Sequence, residues 1–122
     1  EYAAEAEEHW GNTEAYKQSK ERTKHMTKED FKRLAKEGDL FMKELTKCIP
    51  SGPESAKTQK MIKQHYEALR TFYDPSPEIY RGLANMYVED DRFRKYYDKY
   101  HPDMAEFMQD AMNAYCDELE GK

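Results

Sequence analysis

Apolar residues recur along most of this chain at the three- and four-residue spacing that places them on one face of an α-helix. The clearest stripes comprise, in chain order, Phe31, Leu34, Gly38, Phe41, Met42 and Leu45, then Ile62, His65, Tyr66, Leu69, Phe72 and Tyr73, and last Met104, Phe107, Met108, Ala111, Met112, Tyr115 and Leu119. No window shows the alternating pattern of a β-strand. The sequence therefore predicts an all-α domain of about six or seven helices joined by short turns.

Capping signals predict where several of these helices begin. Thr27 is followed three residues later by an acidic residue, which is the pattern of a capping box. Ser76 before Pro77 favours a helix start, because the serine oxygen can accept an unpaired amide and proline has no amide to satisfy. Asp90 or Asp91 is expected to cap the next helix.

The stretch between these last two caps is the centre of the prediction. Two adjacent helices are expected in this stretch, each with an apolar face towards the core. The first face is formed by Ile79, Leu83, Met86 and Tyr87, and the second by Phe93, Tyr96, Tyr97 and Tyr100. Gly82 lies in the middle of the first helix, where glycine costs about 1 kcal/mol relative to alanine. A glycine there is typical of a point where another helix or a ligand approaches the backbone closely. Helix contact is the more frequent of these two explanations.

The N-terminal part has a different character, and we divide the chain into residues 1–26 and the helical domain 27–122. Residues 1–9 are helix-prone and read as the end of a longer helix. Residues 14–24 also favour a helix but offer few apolar anchors, so this segment is expected to be loosely docked or disordered without a partner. Trp10, Asn12 and Tyr16 are therefore candidate ligand contacts, although Trp10 could also simply pack the segment onto the core.

Composition narrows the class of protein. The 122 residues carry a net charge of −5, which argues against direct DNA binding by this chain. No apolar run is long enough to cross a membrane, and no signal peptide is visible. With only two well-separated cysteines, Cys48 and Cys116, we expect a cytoplasmic protein with reduced thiols. Ten tyrosines and seven methionines suit either an adaptable binding surface or an ordinary helical core.

Catalytic and metal-binding patterns are missing from the sequence. The four histidines form no paired metal motif, and the five glycines form no phosphate-binding loop. His65 is the only histidine on an apolar stripe; it could ligate haem, but a hydrogen-bonded core histidine is the better interpretation. We therefore predict no enzymatic activity, no metal and no cofactor.

Four blocks of residues resemble one known family. They are Trp10-Gly11-Asn12-Thr13-Glu14-Ala15-Tyr16-Lys17-Gln18-Ser19, Thr27-Lys28-Glu29-Asp30-Phe31, Phe72-Tyr73-Asp74 and Met86-Tyr87-Val88-Glu89-Asp90-Asp91-Arg92-Phe93. In this order they resemble the TipAS antibiotic-recognition domain, the C-terminal effector domain of TipA-like regulators in the MerR family. The resemblance covers nearly the whole chain.

The resemblance implies a globin-like fold with a cleft for antibiotics, including thiopeptides and other drugs. It also implies that the full-length protein has an N-terminal winged-helix DNA-binding domain and a dimerising coiled coil. The family's mobile N-terminal segment, which corresponds to residues 10–23 here, is thought to fold over the ligand. Thiopeptide-capturing members carry cysteine where this sequence has Pro75 and Gly82. Because this sequence departs from the family pattern at these two positions, we expect sensing without a covalent bond.

Together these observations predict a ligand-sensing domain of a transcriptional regulator. The candidate ligand-binding residues are Trp10, Asn12, Tyr16, Tyr66, Tyr73, Ile79, Gly82, Met86, Tyr87 and Phe93. The alternative is a helical module that binds a partner protein through the same aromatic face.

Overall fold

A computed structural model describes residues 14–121, apart from the side chain of Ala15. Its α-helices are α1 (Glu14–Thr23), α2 (Lys28–Thr46), α3 (Ala56–Ala68), α4 (Pro77–Glu89), α5 (Asp91–Asp98) and α6 (Met104–Leu119), with short 3-10 turns at Ile49–Ser51 and Leu69–Thr71. Residues 14–121 contain no β-strand, so the all-α prediction is confirmed. The expectations for residues 1–13, including Trp10 and Asn12, lie outside the described residues.

The predicted capping residues begin their helices. The Thr27 hydroxyl accepts the Asp30 amide at 3.2 Å, and the Asp30 carboxylate accepts the Thr27 amide at 2.9 Å, which completes a capping box. Ser76 caps α4 with Pro77 in the first turn, and the Asp90 side chain caps α5. These short-range signals therefore set the helix starts as expected.

The end of α3 differs from the prediction. The regular helix stops at Ala68, whereas the stripe predicted continuation to about Tyr73. The chain instead tightens into the second 3-10 turn, where the amides of Phe72 and Tyr73 both donate to the Leu69 carbonyl, at 2.9 and 3.0 Å. This tightening produces the corner that leads into α4.

Helix α6 lies at the centre of the domain and packs against α3, α4 and α5. Its side chains that are fully shielded from solvent are Met104, Ala105, Met108, Ala111, Met112 and Cys116. They meet Leu45 from α2, Ile62 from α3 and Tyr80 from α4, all with no exposed surface. The predicted stripe on α6 is thus the core of the fold, except that Leu119, its last residue, is 46% exposed.

The core face of α4 is rotated from the predicted one. Tyr80 and Ala84 are fully buried and Tyr87 is 6% exposed, whereas Ile79 is 36% exposed. The rotation places the large Tyr80 ring in the core, where its hydroxyl has polar partners. Since Tyr80, Ala84 and Tyr87 are also spaced as one helix face, Ile79 is displaced to its flank.

Helix α2 is held mainly by its C-terminal half. Met42 and Leu45 are buried, and the Tyr100 hydroxyl donates to Asp39 Oδ1 at 2.6 Å. Phe31, near the start of α2, is 47% exposed, contrary to the expected core position, because the packing residues lie in the later turns. Tyr96 of α5 was also expected in the core and is 40% exposed. None of the helices in the described part of the chain has the length and apolarity needed to cross a membrane.

Candidate functional site

Aromatic side chains from α3, α4, α5 and α6 form two clusters. In the first, the ring of Tyr66 lies 4.9 Å from Tyr80 and 5.2 Å from Tyr115, centroid to centroid. In the second, the ring of Tyr87 lies 5.9 Å from Phe93 and 4.5 Å from Tyr97. Edge and tilted contacts of this kind stabilise each pair of rings beyond the effect of burying their apolar surface.

Tyr73 lies at the corner between α3 and α4, close to both clusters. It is half-buried, and burial raises the pKa of its hydroxyl. The Tyr66 phenol adds to this rise in pKa, and Tyr73 in turn contributes to the raised pKa of Tyr87. The Tyr73 phenol therefore interacts electrostatically with two other predicted site residues, Tyr66 and Tyr87.

Two of these three residues are also part of the core. Tyr66 and Tyr87 are each 6% exposed, and burial raises the pKa of Tyr87 to about 12. They offer little ring surface to a ligand unless neighbouring side chains move. Their main contribution in this structure is to hold α3, α4 and α5 together.

The other predicted residues of α4 form a stripe on its flank. Ile79, Gly82 and Met86 follow one another at three- and four-residue intervals, beside the core face. Gly82 is exposed, and a Cβ atom there would meet no atom of residues 14–121 within 4 Å. Close packing against one of the described helices is therefore not the reason for this glycine, so that interpretation was wrong; ligand approach stays a prediction.

His65 is hydrogen-bonded, as expected, and lies half-buried at the edge of the core. Its Nδ1 lies 2.7 Å from the Tyr80 hydroxyl, and its ring stacks on Phe41 with centroids 5.8 Å apart. Burial lowers the pKa of His65 to about 4, so the imidazole is neutral at pH 7. Tyr80 was not among the predicted core residues, although its helical spacing from Ala84 and Tyr87 was a usable signal.

Helix α1 is docked by polar contacts beside the corner. Arg22 donates to Asp74 Oδ1 at 2.8 Å and to the Arg70 carbonyl at 2.9 Å. The Asp74 amide donates to Gln18 Oε1 at 2.8 Å. Tyr16, a predicted ligand contact, is half-buried on the same helix, with the Lys20 ammonium 5.8 Å from its ring centroid.

Neither cysteine is placed to act as a nucleophile. Cys48 and Cys116 are fully buried, with Cys48 Sγ 3.7 Å from Met61 Sδ. Cys116 Sγ donates to the Pro77 carbonyl at 3.4 Å, and burial raises its pKa. Within the described residues, no three His, Cys, Asp or Glu side chains are grouped so as to hold a metal ion.

A family model describes the matching proteins as the TipAS antibiotic-recognition domain, and it matches residues 2–115. This chain belongs to the TipAS family. The assignment is to a family of recognition domains and not to a family of enzymes.

Similar proteins agree with this assignment. The chain is 36% identical, over 116 residues, to the HTH-type transcriptional activator TipA of Streptomyces coelicolor, covering 93% of this chain and 46% of that protein. It is 27% identical, over 120 residues, to the HTH-type transcriptional activator mta of Bacillus subtilis, covering 98% of this chain and 46% of that protein. The chain thus spans about half the length of these relatives.

A solved structure also matches. It is TipAS from Streptomyces lividans in complex with nosiheptide, from a study of a thiopeptide antibiotic multidrug resistance system. The TM-score is 0.87 at 34% sequence identity, covering 97% of this chain and 85% of the other. The predicted all-α, globin-like fold is thereby confirmed.

We expect stability to fall as the pH drops from 6.5 towards 4. The folded pKa of His65 is about 4 and the usual value is 6.5, so the unfolded chain binds a proton in this window that the folded chain does not. The loss between pH 7 and pH 4.5 should be about 2 kcal/mol, measured by urea unfolding at both values.

His65→Asn is the control, because an amide does not titrate in this range. The variant should be less stable at pH 7 but should lose most of the slope between pH 6.5 and 4. An identical slope in both proteins would show that another group is responsible. Carboxylates with lowered pKa, such as Asp39, act at lower pH.

Proposed function

We propose that this TipAS domain is the ligand-sensing effector domain of a MerR-family transcriptional regulator and that it binds thiopeptide or related antibiotics. The observation that carries the proposal is the likeness, at a TM-score of 0.87, to TipAS in complex with nosiheptide. The family model is itself described as antibiotic recognition. The names of the relatives, HTH-type transcriptional activators, support the regulatory role.

The ligand site that we propose lies around the corner between α3 and α4. Tyr73 and the flank of α4 formed by Ile79, Gly82 and Met86 supply accessible surface. The remaining predicted contacts are Tyr66, Tyr87 and Phe93 at the base and Trp10, Asn12 and Tyr16 from the N-terminal segment. Apolar and aromatic groups suit a heteroaromatic ligand, because burying its rings is favourable without directional bonds.

Binding in this proposal is non-covalent. Both thiols are shielded by the core, and the positions at which the family resemblance implies cysteine in thiopeptide-capturing members are Pro75 and Gly82 in this chain. A thiol adds to a dehydroalanine only as an exposed thiolate, which neither Cys48 nor Cys116 provides.

DNA binding and dimerisation are assigned to other parts of the full-length protein. This chain has a net charge of −5, which is unfavourable for a phosphate backbone. We propose a winged-helix domain and a dimerising coiled coil that precede the chain, with the regulator acting in the cytoplasm. The ordering of the N-terminal segment over the ligand would be the event that the DNA-binding part senses.

Substitutions at Gly82 test the site. Gly82→Ala should raise the free energy of unfolding by up to about 1 kcal/mol, because alanine favours the helix and its Cβ would meet no atom within 4 Å in the part of the chain that the structure describes. Gly82→Leu should be as stable but should bind a thiopeptide at least tenfold more weakly, since the larger side chain fills the proposed site. Urea unfolding and calorimetric titration measure the two effects.

The alanine variant is the control for the leucine variant, because both gain helix propensity and only size differs. Wild-type affinity in Gly82→Leu would place the ligand elsewhere.

The wild-type protein should be stabilised by at least one member of a panel of antibiotics. At a hundred times its Kd, a bound antibiotic should raise the free energy of unfolding by about 2.7 kcal/mol, which corresponds to roughly 10 °C in Tm. No stabilisation by any antibiotic would favour the alternative of a partner-helix module.

The N-terminal segment should be protected from amide exchange by ligand. Without ligand, residues 10–24 should exchange faster than α6, because the half-buried side chains that the structure describes on α1 are polar apart from the Tyr16 ring. Adding a thiopeptide should slow this exchange, as followed by hydrogen–deuterium exchange mass spectrometry. If residues 10–24 are already as protected as α6 in the free protein, ordering over the ligand is the wrong mechanism.

A dehydroalanine-containing thiopeptide should leave the protein mass unchanged after denaturation. Intact-mass spectrometry after incubation makes this measurement. As a control, an alkylating reagent should modify both cysteines in the urea-unfolded protein and neither in the folded one. A thiopeptide adduct at Cys48 or Cys116 would contradict non-covalent binding.

A further inference from the structure

Arg81 of α4 donates hydrogen bonds to three side chains of α6. Its Nη1 donates to Asn113 Oδ1 at 3.1 Å. Its Nη2 donates to Glu120 Oε1 at 2.6 Å and also to Asp117 Oδ1. The partners lie 32, 36 and 39 positions from Arg81 in the sequence, so these contacts join two helices. We call Arg81 and its three partners the Arg81 clamp.

A further polar contact extends the line of the clamp between α4 and α6. Asn85 lies one turn beyond Arg81, and its Oδ1 accepts Gln109 Nε2 at 3.1 Å. The core residue of α4 between these two is Ala84, whose small side chain interlocks little with α6. Hydrogen bonds are directional, whereas burial of apolar surface is not. The polar contacts therefore define the rotation of α4 against α6 more narrowly than apolar packing does.

Three successive residues of α4 point in three directions, because each step along an α-helix turns by about 100°. Tyr80 points into the core, where its hydroxyl meets His65 of α3. Arg81 points to the C-terminal end of α6. Gly82 lies on the open flank that we propose as ligand surface. Contacts on two sides of α4 therefore resist its rotation, and they fix the direction in which the flank faces.

Charge makes the clamp stronger than the other polar contact between the start of α4 and α6. That contact is the Cys116 thiol donating to the Pro77 carbonyl at 3.4 Å, and a thiol is a weak donor. Hydrogen bonds between charged groups are about twice as strong as neutral ones. The Arg81 side chain is 28% exposed, so solvent screens it less than a fully exposed arginine. Loss of Arg81 should therefore loosen the rotation of α4.

We propose that Arg81 is a positioning residue for the ligand: by joining α4 to the end of α6, it fixes the rotation of α4 and the direction of the flank formed by Ile79, Gly82 and Met86. The consequence for the ligand rests on the proposed function. A loosened α4 samples several rotations, and affinity falls with the fraction of molecules that present the flank correctly. Arg81 acts on affinity through the helix and not by touching the ligand.

The first test uses no ligand. In Arg81→Gln, the methyl signal of Met86 should shift and broaden in the NMR spectrum of the folded protein, because α4 then samples more than one rotation. Met86 lies more than one turn from Arg81, so its signal reports on the helix. Arg33→Gln is the matched control, since Arg33 also pairs with two carboxylates, Asp30 and Glu37, but both belong to its own helix. This control should leave the Met86 signal unchanged.

Removing the carboxylates separates positioning from direct contact with the ligand. Asp117→Asn combined with Glu120→Gln opens the clamp from α6 and leaves Arg81 in place. This double variant should shift the Met86 signal as Arg81→Gln does, and adding Arg81→Gln to it should change little, because all three substitutions act on one network. Arg81→Lys keeps the charge without the planar fork, so its signal should lie between those of Arg81→Gln and the wild type. It carries the same comparison if Arg81→Gln does not fold.

The second readout is affinity by calorimetric titration, for nosiheptide or, if that does not bind, for the antibiotic that stabilises the wild type most. Arg81→Gln and the double carboxylate variant should both bind about threefold to fivefold more weakly than the wild type. Arg33→Gln should bind as the wild type does. A loss of affinity in Arg81→Gln alone would show that Arg81 contacts the ligand, and this would overturn the positioning role.

The remaining outcomes separate this proposal from the proposed function. An unshifted Met86 signal in Arg81→Gln would overturn the clamp, even if the variant is less stable. A shifted signal with unchanged affinity would overturn its role in binding. If the wild type binds no antibiotic of the panel, the proposed function and the affinity part are both overturned. The comparison of Met86 signals still decides whether Arg81 sets the rotation of α4.

Discussion

The orientation of α4 depends on how the buried hydroxyl of Tyr80 is satisfied. The Tyr80 ring has no exposed surface, and its hydroxyl lies 2.7 Å from His65 Nδ1 and 3.5 Å from the Ile62 carbonyl. A buried hydroxyl without a partner would be costly, so α4 is held in the rotation that meets α3 at this point. That rotation turns Ala84 inward and leaves Gly82 on an open flank.

The flank of α4 is accessible because of this constraint and not because the sequence there is polar. Ile79 and Met86 are as apolar as the residues of the core. The Tyr80–His65 contact, however, turns the larger aromatic rings of α4 towards the core. Apolar side chains at the surface beside the corner are what a ligand with aromatic rings requires. The same contact therefore stabilises the fold and leaves the α4 flank of the proposed site accessible.

How much could be predicted from the sequence depended on the range of the interaction. The starts of α2, α4 and α5 followed from Thr27, Ser76 and Asp90, because a cap bonds within three residues of itself. The stripe on α6 was also clear, since nearly every apolar position of that helix is buried. These features needed no knowledge of neighbouring helices.

The features that could not be predicted involve partners distant in sequence. The rotation of α4 depends on a contact between residues 65 and 80, and hydrophobicity alone ranked Ile79 above Tyr80 as a core residue. The contact between Gln18 and Asp74 spans 56 positions and involves two polar residues, which periodicity does not detect. For the candidate site, the sequence therefore named residues of α4 but could not show which side of α4 is accessible.

The contrast between the core and α1 bears on how such a domain could signal. A ligand shifts a conformational equilibrium only when it binds one state better and when both states are within a few kcal/mol. Met108 and Met112 of α6 are fully buried in the core. Had α1 been anchored by similar apolar side chains, it would be docked permanently and a ligand could not change its position. In the proposed mechanism, docking through an exposed ion pair and a few hydrogen bonds would keep the two states close in free energy, and this is the condition under which burial of a ligand's rings could decide between them.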